Sequence, residues 1–279
     1  MAEEPEQGGM LFDLRGRRKR VIQVIYVMLA FVMAASLLVI GLPGGLNPFS
    51  SGNSVDSQDT ADLAVERATT IERKLRQDPE NLNLQQELIR ERIVAGNALV
   101  EVDGESQVVG ADAIEQYELA AAAWERYVKD SGQEPDRGVA QLASGMLFSL
   151  AQGATVAQFE ANMQAAADAQ AFVARAGERE FRSGDGPAPT GLLVTLATYQ
   201  LYALDFGQAA KSRQDALALA DSPEQKQEIN RTLDAVERDA KRGEKYLARV
   251  KKQARKEGGA SLKEPVGGIG GSTLSPTSP

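Results

Sequence analysis

The sequence predicts an all-α protein: one N-terminal transmembrane helix followed by an array of antiparallel helical hairpins. Three observations carry this. Residues 21–42 hold no charged side chain. Apolar residues beyond them recur at three- and four-residue steps, the period of a helix face. No stretch shows the sustained two-residue alternation of a half-buried strand.

The uncharged run VIQVIYVMLAFVMAASLLVIGL is 22 residues long, which as a helix is about 33 Å, enough to cross a hydrocarbon core. Arg15, Arg17, Arg18, Lys19 and Arg20 stand directly before it, and no comparable basic cluster follows closely. The excess of cations on that side predicts a cytoplasmic N-terminus over 1–20 and an extracytoplasmic remainder at the cell membrane. A signal peptide has a shorter apolar core and a small-x-small cleavage site. Here the run ends in Leu42-Pro43-Gly44-Gly45, so an uncleaved signal anchor is expected, with cleavage as the alternative.

After the span, residues 43–57 are rich in Gly, Pro, Ser and Asn and read as a flexible tether. Residues 258–279 combine Gly, Ser, Pro and Thr with few large apolar groups, so they cannot offset their ordering entropy and are expected to form a disordered tail.

Between tether and tail, a helical domain is expected over 58–257. Ile114, Tyr117, Ala121, Trp124 and Val128 trace one apolar face. Phe159, Met163, Ala166, Ala169 and Val173 trace a second, and Leu192, Leu196, Tyr199 and Ala203 a third. Ile229, Leu233, Val236, Ala240, Leu247 and Val250 form a longer one. Asp78-Pro79 and Ser222-Pro223 each set a capping residue before a proline, a helix-start signal. Gln225 completes a capping box with Ser222. The expected helices are 58–77, 80–99, 112–130, 137–152, 155–175, 188–204, 206–220 and 223–256. Two longer connectors remain, 101–110 and 176–189, the first with a turn-like Val102-Asp103-Gly104-Glu105.

Composition excludes several functions. The chain has neither Cys nor His, which removes thiol chemistry, thiolate metal sites, a lipoprotein anchor, the usual zinc ligands and the Ser-His and Cys-His nucleophile systems. The net charge is −8, and the part after residue 42 is acidic, with 26 basic against 35 acidic residues. Such a body repels nucleic-acid phosphates. Aromatic residues make up only 5% of the chain, which disfavours large aromatic-lined pockets and leaves the core to Ala, Leu and Val.

Carboxylate pairs at Glu87/Glu91 and Glu178/Glu180 have the chemistry for acid and base roles, but interleaved Arg90, Arg92 and Arg179 read more simply as solvated helix faces. Asp103, Glu105, Asp112 and Asp185 lie in or beside loops yet lack the spacing of a calcium-binding loop. Gly267-Gly268-Ile269-Gly270-Gly271 lies in the tail and is no phosphate loop. No catalytic, cofactor or metal residue is therefore assigned. Trp124, Tyr127, Tyr199 and Tyr202 are the candidate partner-binding residues, with a core role as the competing expectation. Lys241 to Lys256 carries eight basic residues against Glu244. That stretch suits anionic lipid or an acidic partner, or a solvated helix end that complements the macrodipole.

Thr195-Leu196-Ala197-Thr198-Tyr199, Leu201-Tyr202, Asp205-Phe206-Gly207-Gln208-Ala209-Ala210, Ala216-Leu217-Ala218 and Pro223 together resemble a tetratricopeptide repeat. That motif sets small residues where two helices touch and large ones at packing faces. Gln214 stands where the motif expects a bulky aromatic. Asp78-Pro79-Glu80-Asn81 resembles a junction between repeats, and 117–127 a second repeat helix. Prolines 79, 135, 187 and 223 are spaced by 56, 52 and 36 residues, and the family period is about 34. The resemblance covers about 78–240. A basic start, one span and an outer helical-repeat domain are also similar to bacterial tetratricopeptide membrane proteins that attend the secretion translocon, and the Ala-rich, Cys-free composition suits a high-GC actinobacterium. The resemblance implies a non-enzymatic protein-protein interaction module that assists exported chains, with translocon subunits or those chains as partners. A structural envelope scaffold and a carboxylate-dependent cell-wall hydrolase are the alternatives.

Overall fold

Proline, glycine and capping side chains divide the domain into helices before any packing is considered. In the computed structural model, which describes residues 57–103 and 106–256, these helices are α1 (Ser57–Leu75), α2 (Leu82–Ala98), α3 (Ala111–Asp130), α4 (Arg137–Gly153), α5 (Val156–Ser183), α6 (Thr190–Tyr202), α7 (Phe206–Ala218) and α8 (Pro223–Lys256). Between α2 and α3 lies a small antiparallel ribbon, β1 (Glu101–Asp103) and β2 (Ser106–Val108), with Glu101 opposite Val108 and Asp103 opposite Ser106. The described fold is all-α apart from this ribbon. The basic segment, span and tether expected N-terminal to Ser57, and the tail expected after Lys256, lie outside the described residues. Among the described residues no helix is long and apolar enough to cross a membrane.

Four helix starts follow local chemistry, those of α2, α4, α7 and α8. Ser222 Oγ accepts a bond from the Gln225 backbone N–H at 3.1 Å, as a capping box requires, while Gln225 Oε1 accepts from the Asp221 N–H at 2.7 Å, one residue before the cap. Asp136 and Asp205 cap α4 and α7 through the N–H groups of Val139 and Gln208. The first junction differs from expectation: Asp78–Glu80 form a turn, and Asn81 caps α2 by accepting from Leu84 N–H at 3.1 Å. Asn81 wins because its side chain is also anchored, donating to Asp78 Oδ2 at 2.9 Å.

Helix α5 continues eight residues past its expected end at 175. Gly177 lies within this extension. A Cβ there would sit 2.6 Å from Leu192 Cδ1, so the bare glycine lets α5 and α6 meet closely. Gly184, at φ 81°, then terminates α5. Leu204 does the equivalent work after α6 at φ 62°. The Asp205 N–H bonds to Gln200 C=O at 2.8 Å and the Leu204 N–H to Leu201 C=O at 3.0 Å, a Schellman turn built without glycine.

Each helix packs on the next along the chain, and α2 also meets α4, as α6 meets α8. The main core joins Ile89 and Ile93 of α2, Tyr117, Trp124 and Tyr127 of α3, Val139, Met146, Leu147 and Leu150 of α4 and Val173 of α5. A second cluster holds Leu193, Leu196 and Leu201 of α6 against Ile229 and Leu233 of α8. Further along α8, Leu247 closes on Phe159 and Met163 of α5. Alanines 68, 95, 120, 140, 143, 166, 169, 197 and 216 are almost wholly buried. Their small size lets the helix axes approach closely, and it replaces the bulk that the few aromatics cannot supply.

Candidate protein-binding surface

Trp124 and Tyr127 lie one turn apart on α3, with ring centroids 6.0 Å apart. Both are buried, Trp124 to 5% and Tyr127 to 2% exposure. The Tyr127 hydroxyl accepts from Gln86 Nε2 and from the Asp136 backbone N–H, each at 2.9 Å. It thereby ties α2, α3 and the start of α4 together, which is a structural role.

Trp124 meets Phe172 of α5 edge-on at 6.1 Å, and its remaining exposed edge opens into a groove between α3 and α5. This groove, of about 440 Å³, has an apolar floor of Ala121, Trp124, Val128, Leu147, Ala165, Ala169 and Phe172. Glu125, Gln133, Asp168 and Arg175 form its rim. The Arg175 guanidinium lies over the Phe172 ring, 4.5 Å from the centroid, and is thus held by a cation–π contact. Asp168 accepts one bond, from Gln164 Nε2 at 3.0 Å. The arrangement offers apolar area for a bulky side chain and two carboxylates for flanking cations.

Tyr199 and Tyr202 of α6 make their ring contacts with Phe148, although Tyr199 also packs against the main core that holds Trp124 and Tyr127. Phe148 of α4 stacks on Tyr199 at 4.9 Å with ring planes 8° apart, and it meets Tyr202 at 6.1 Å. Burial pushes the Tyr199 hydroxyl pKa up. Burial does the same at Tyr202, with a smaller push from the Asp239 carboxylate. The four aromatics named from sequence therefore form two groups, and no ring contact joins one group to the other.

Phe172, Arg175, Glu125 and Asp168 were not singled out by sequence. Phe172 sits one residue before Val173, at the edge of the buried α5 stripe, and its i,i+3 spacing to Arg175 was the available signal.

A second groove, of about 470 Å³, runs between α1 and α2 and carries Leu63, Glu66, Arg67, Thr70, Ile71, Lys74, Glu87 and Glu91. Desolvation raises the Glu91 carboxyl pKa, Arg67 lowers it and Glu87 raises it again; the Arg67–Glu91 separation is 3.9 Å. The other carboxylate pair is split, with Glu178 bound to Arg182 at 2.9 Å and Glu180 to Arg137. Among the described residues no three carboxylates gather as metal ligands; Asp112 stands in the first turn of α3 and Asp185 just after α5.

No protein-family model matches the chain, and neither curated proteins nor solved structures give a significant match.

Proposed function

We propose that this chain is a non-enzymatic protein-interaction module, anchored in the cell membrane by residues 21–42, whose helices form a tetratricopeptide-like array on the extracytoplasmic face. Pairing of α2 with α3, α4 with α5 and α6 with α7 supports the array, as does the contact of α2 with α4 across one hairpin to the next. In such arrays each hairpin buries its apolar face against its neighbours, and a terminal helix covers the last one. The contact of α8 with α6 and α7 suits that capping role.

The observation that carries the binding reading is the α3–α5 groove, where Trp124 and Phe172 supply an apolar floor between the rim carboxylates Glu125 and Asp168. A groove of this size takes one or two bulky side chains of an extended or helical segment. Newly exported chains near the secretion translocon are the partner class that best combines this surface with the expected membrane anchor.

Photo-crosslinking in cells tests it, with probes replacing Glu125 and Asp168 in the full chain and a control probe at Gln227 on α8. Capture of translocon subunits and varied exported chains at the two groove positions, but not at Gln227, is expected. Capture of one fixed envelope protein would convert the reading into a scaffold, and equal capture at all three positions would remove the groove from it.

A further inference from the structure

Helix α8 holds eleven basic and six acidic residues, a net charge of +5, in a chain of net charge −8. Its inner face, with Ile229, Leu233, Ala240, Leu247 and Ala254, is buried. The cations are not scattered over the rest. Arg231, Arg238, Arg242, Lys245, Arg249 and Lys252 are all exposed and step by seven, four, three, four and three residues. That spacing keeps them on one face along about 32 Å of helix.

Residues beside this ridge are tied to the domain. Lys251 pairs with Glu160 of α5, and Lys241 pairs with Glu237 at 2.6 Å while lying over the Phe206 ring. On the ridge itself, Arg231 and Arg242 have intrahelical partners in Glu228 and Asp239. Arg238, Lys245, Arg249 and Lys252 make no ion pair or side-chain hydrogen bond with another described residue. Tyr246, 45% exposed, flanks them.

We propose that this ridge docks on an anionic phospholipid surface and lays the domain along the bilayer. A planar, laterally continuous array of phosphate headgroups meets every cation of a straight ridge at once, each contributing about 1 kcal/mol near such a surface. An exposed tyrosine beside the cations suits the headgroup level, where amphipathic rings collect. The inference rests on the membrane anchoring proposed above. An anchor at residues 21–42, as proposed above, would keep the ridge at high effective concentration beside the headgroups.

The chain's lack of cysteine allows clean single labelling. The full chain carrying Ala248→Cys, beside the ridge, or Ala122→Cys, on α3, is labelled with a fluorophore and reconstituted in nanodiscs bearing a headgroup-attached quencher. Discs containing phosphatidylglycerol should quench the label at position 248 several-fold more than phosphatidylcholine discs. That difference should vanish in high salt, which shortens the screening length, and in the combined variant Arg238→Glu, Lys245→Glu, Arg249→Glu and Lys252→Glu; the label at 122 should show none of it. A matching combination of Gln substitutions, with circular dichroism as the folding control, should give an intermediate loss. Equal quenching in both lipids, or quenching untouched by charge reversal, would overturn the proposal. Release of the ridge from anionic discs by soluble polyglutamate, at a concentration that leaves other electrostatic vesicle binding intact, would assign it to an acidic protein instead. A chain that fails to enter the discs defeats the anchoring reading alone, and flotation of that same chain with phosphatidylglycerol vesicles then decides the ridge separately.

Discussion

Gly96 and Tyr117 pack so closely that no methyl group fits between them. A Cβ at position 96 would lie 2.5 Å from Tyr117 Cδ1 and nearer still to Cε1. The ring cannot retreat, because Tyr117 is fully buried and its hydroxyl donates to Asn97 Oδ1 at 2.7 Å. Gly96→Ala should therefore cost about 2–3 kcal/mol through overpacking. Gly177→Ala should cost less, about 1 kcal/mol, because the atom it meets is the end of the half-buried Leu192 side chain, which can turn away. Urea denaturation of the two variants compares them directly, and equal costs would refute the distinction.

Arg92 is buried and bridges three helices. Its Nη1 donates to Gln116 Oε1 at 2.7 Å and its Nη2 to Glu72 Oε1 at 2.6 Å, while Nε has no partner. Arg92→Ala removes the bridge and opens a void, at a cost of about 2–4 kcal/mol. Arg92→Met keeps most of the volume and should cost less. Glu72→Ala should cost about 1 kcal/mol, since Glu72 is partly in solvent. Denaturant midpoints for the three variants establish the order.

Burial raises the Tyr117 hydroxyl pKa from 10.0 to about 12. The sign follows from linkage: below pH 10 the residue is protonated in both folded and unfolded chains. As the pH rises from 10 to about 12, only the unfolded chain ionises there, so stability falls across that window. Tyr117→Phe loses the Asn97 bond and should be about 1 kcal/mol less stable at neutral pH, yet lose less stability between pH 10 and 12. Stability measured against pH for both proteins checks this, and parallel curves would exclude Tyr117 as a source.

The distal half of α8 is held on α5 by Leu247, 1% exposed, and by the Lys251–Glu160 pair. Leu247→Ala should cost about 2–4 kcal/mol, and Lys251→Ala less than about 1 kcal/mol because both partners are partly exposed. Hydrogen exchange should show faster opening of residues 241–254 in Leu247→Ala before the rest of the domain is affected. Uniform acceleration across all helices would mean that α8 is not an independent unit.

Helix identity was legible because its signals are local. Apolar steps of three and four residues and Ser222 before Pro223 each act within one or two turns. The burial of Phe159, Met163, Ala166, Ala169 and Val173 follows from their spacing alone. The candidate site was half legible. Trp124 was named from sequence and lines the groove, but Tyr199 stacks on Phe148 and Tyr202 meets that same ring at a tilt, since spacing along one helix says nothing about which helix lies opposite.

By itself the sequence determined the all-α class, the helix periods and the charge asymmetry, because these depend on backbone hydrogen bonding and side-chain chemistry within a few residues. Tertiary structure decided the rest. It seated Gly177 of α5 against Leu192 of α6, and it brought Phe172 onto Trp124 from 48 residues away to close the groove. It also turned the buried side of α8 inward, so that its cations form an outer ridge. Each of these depends on apolar surface meeting apolar surface between helices distant in the chain, and a local pattern cannot encode that pairing.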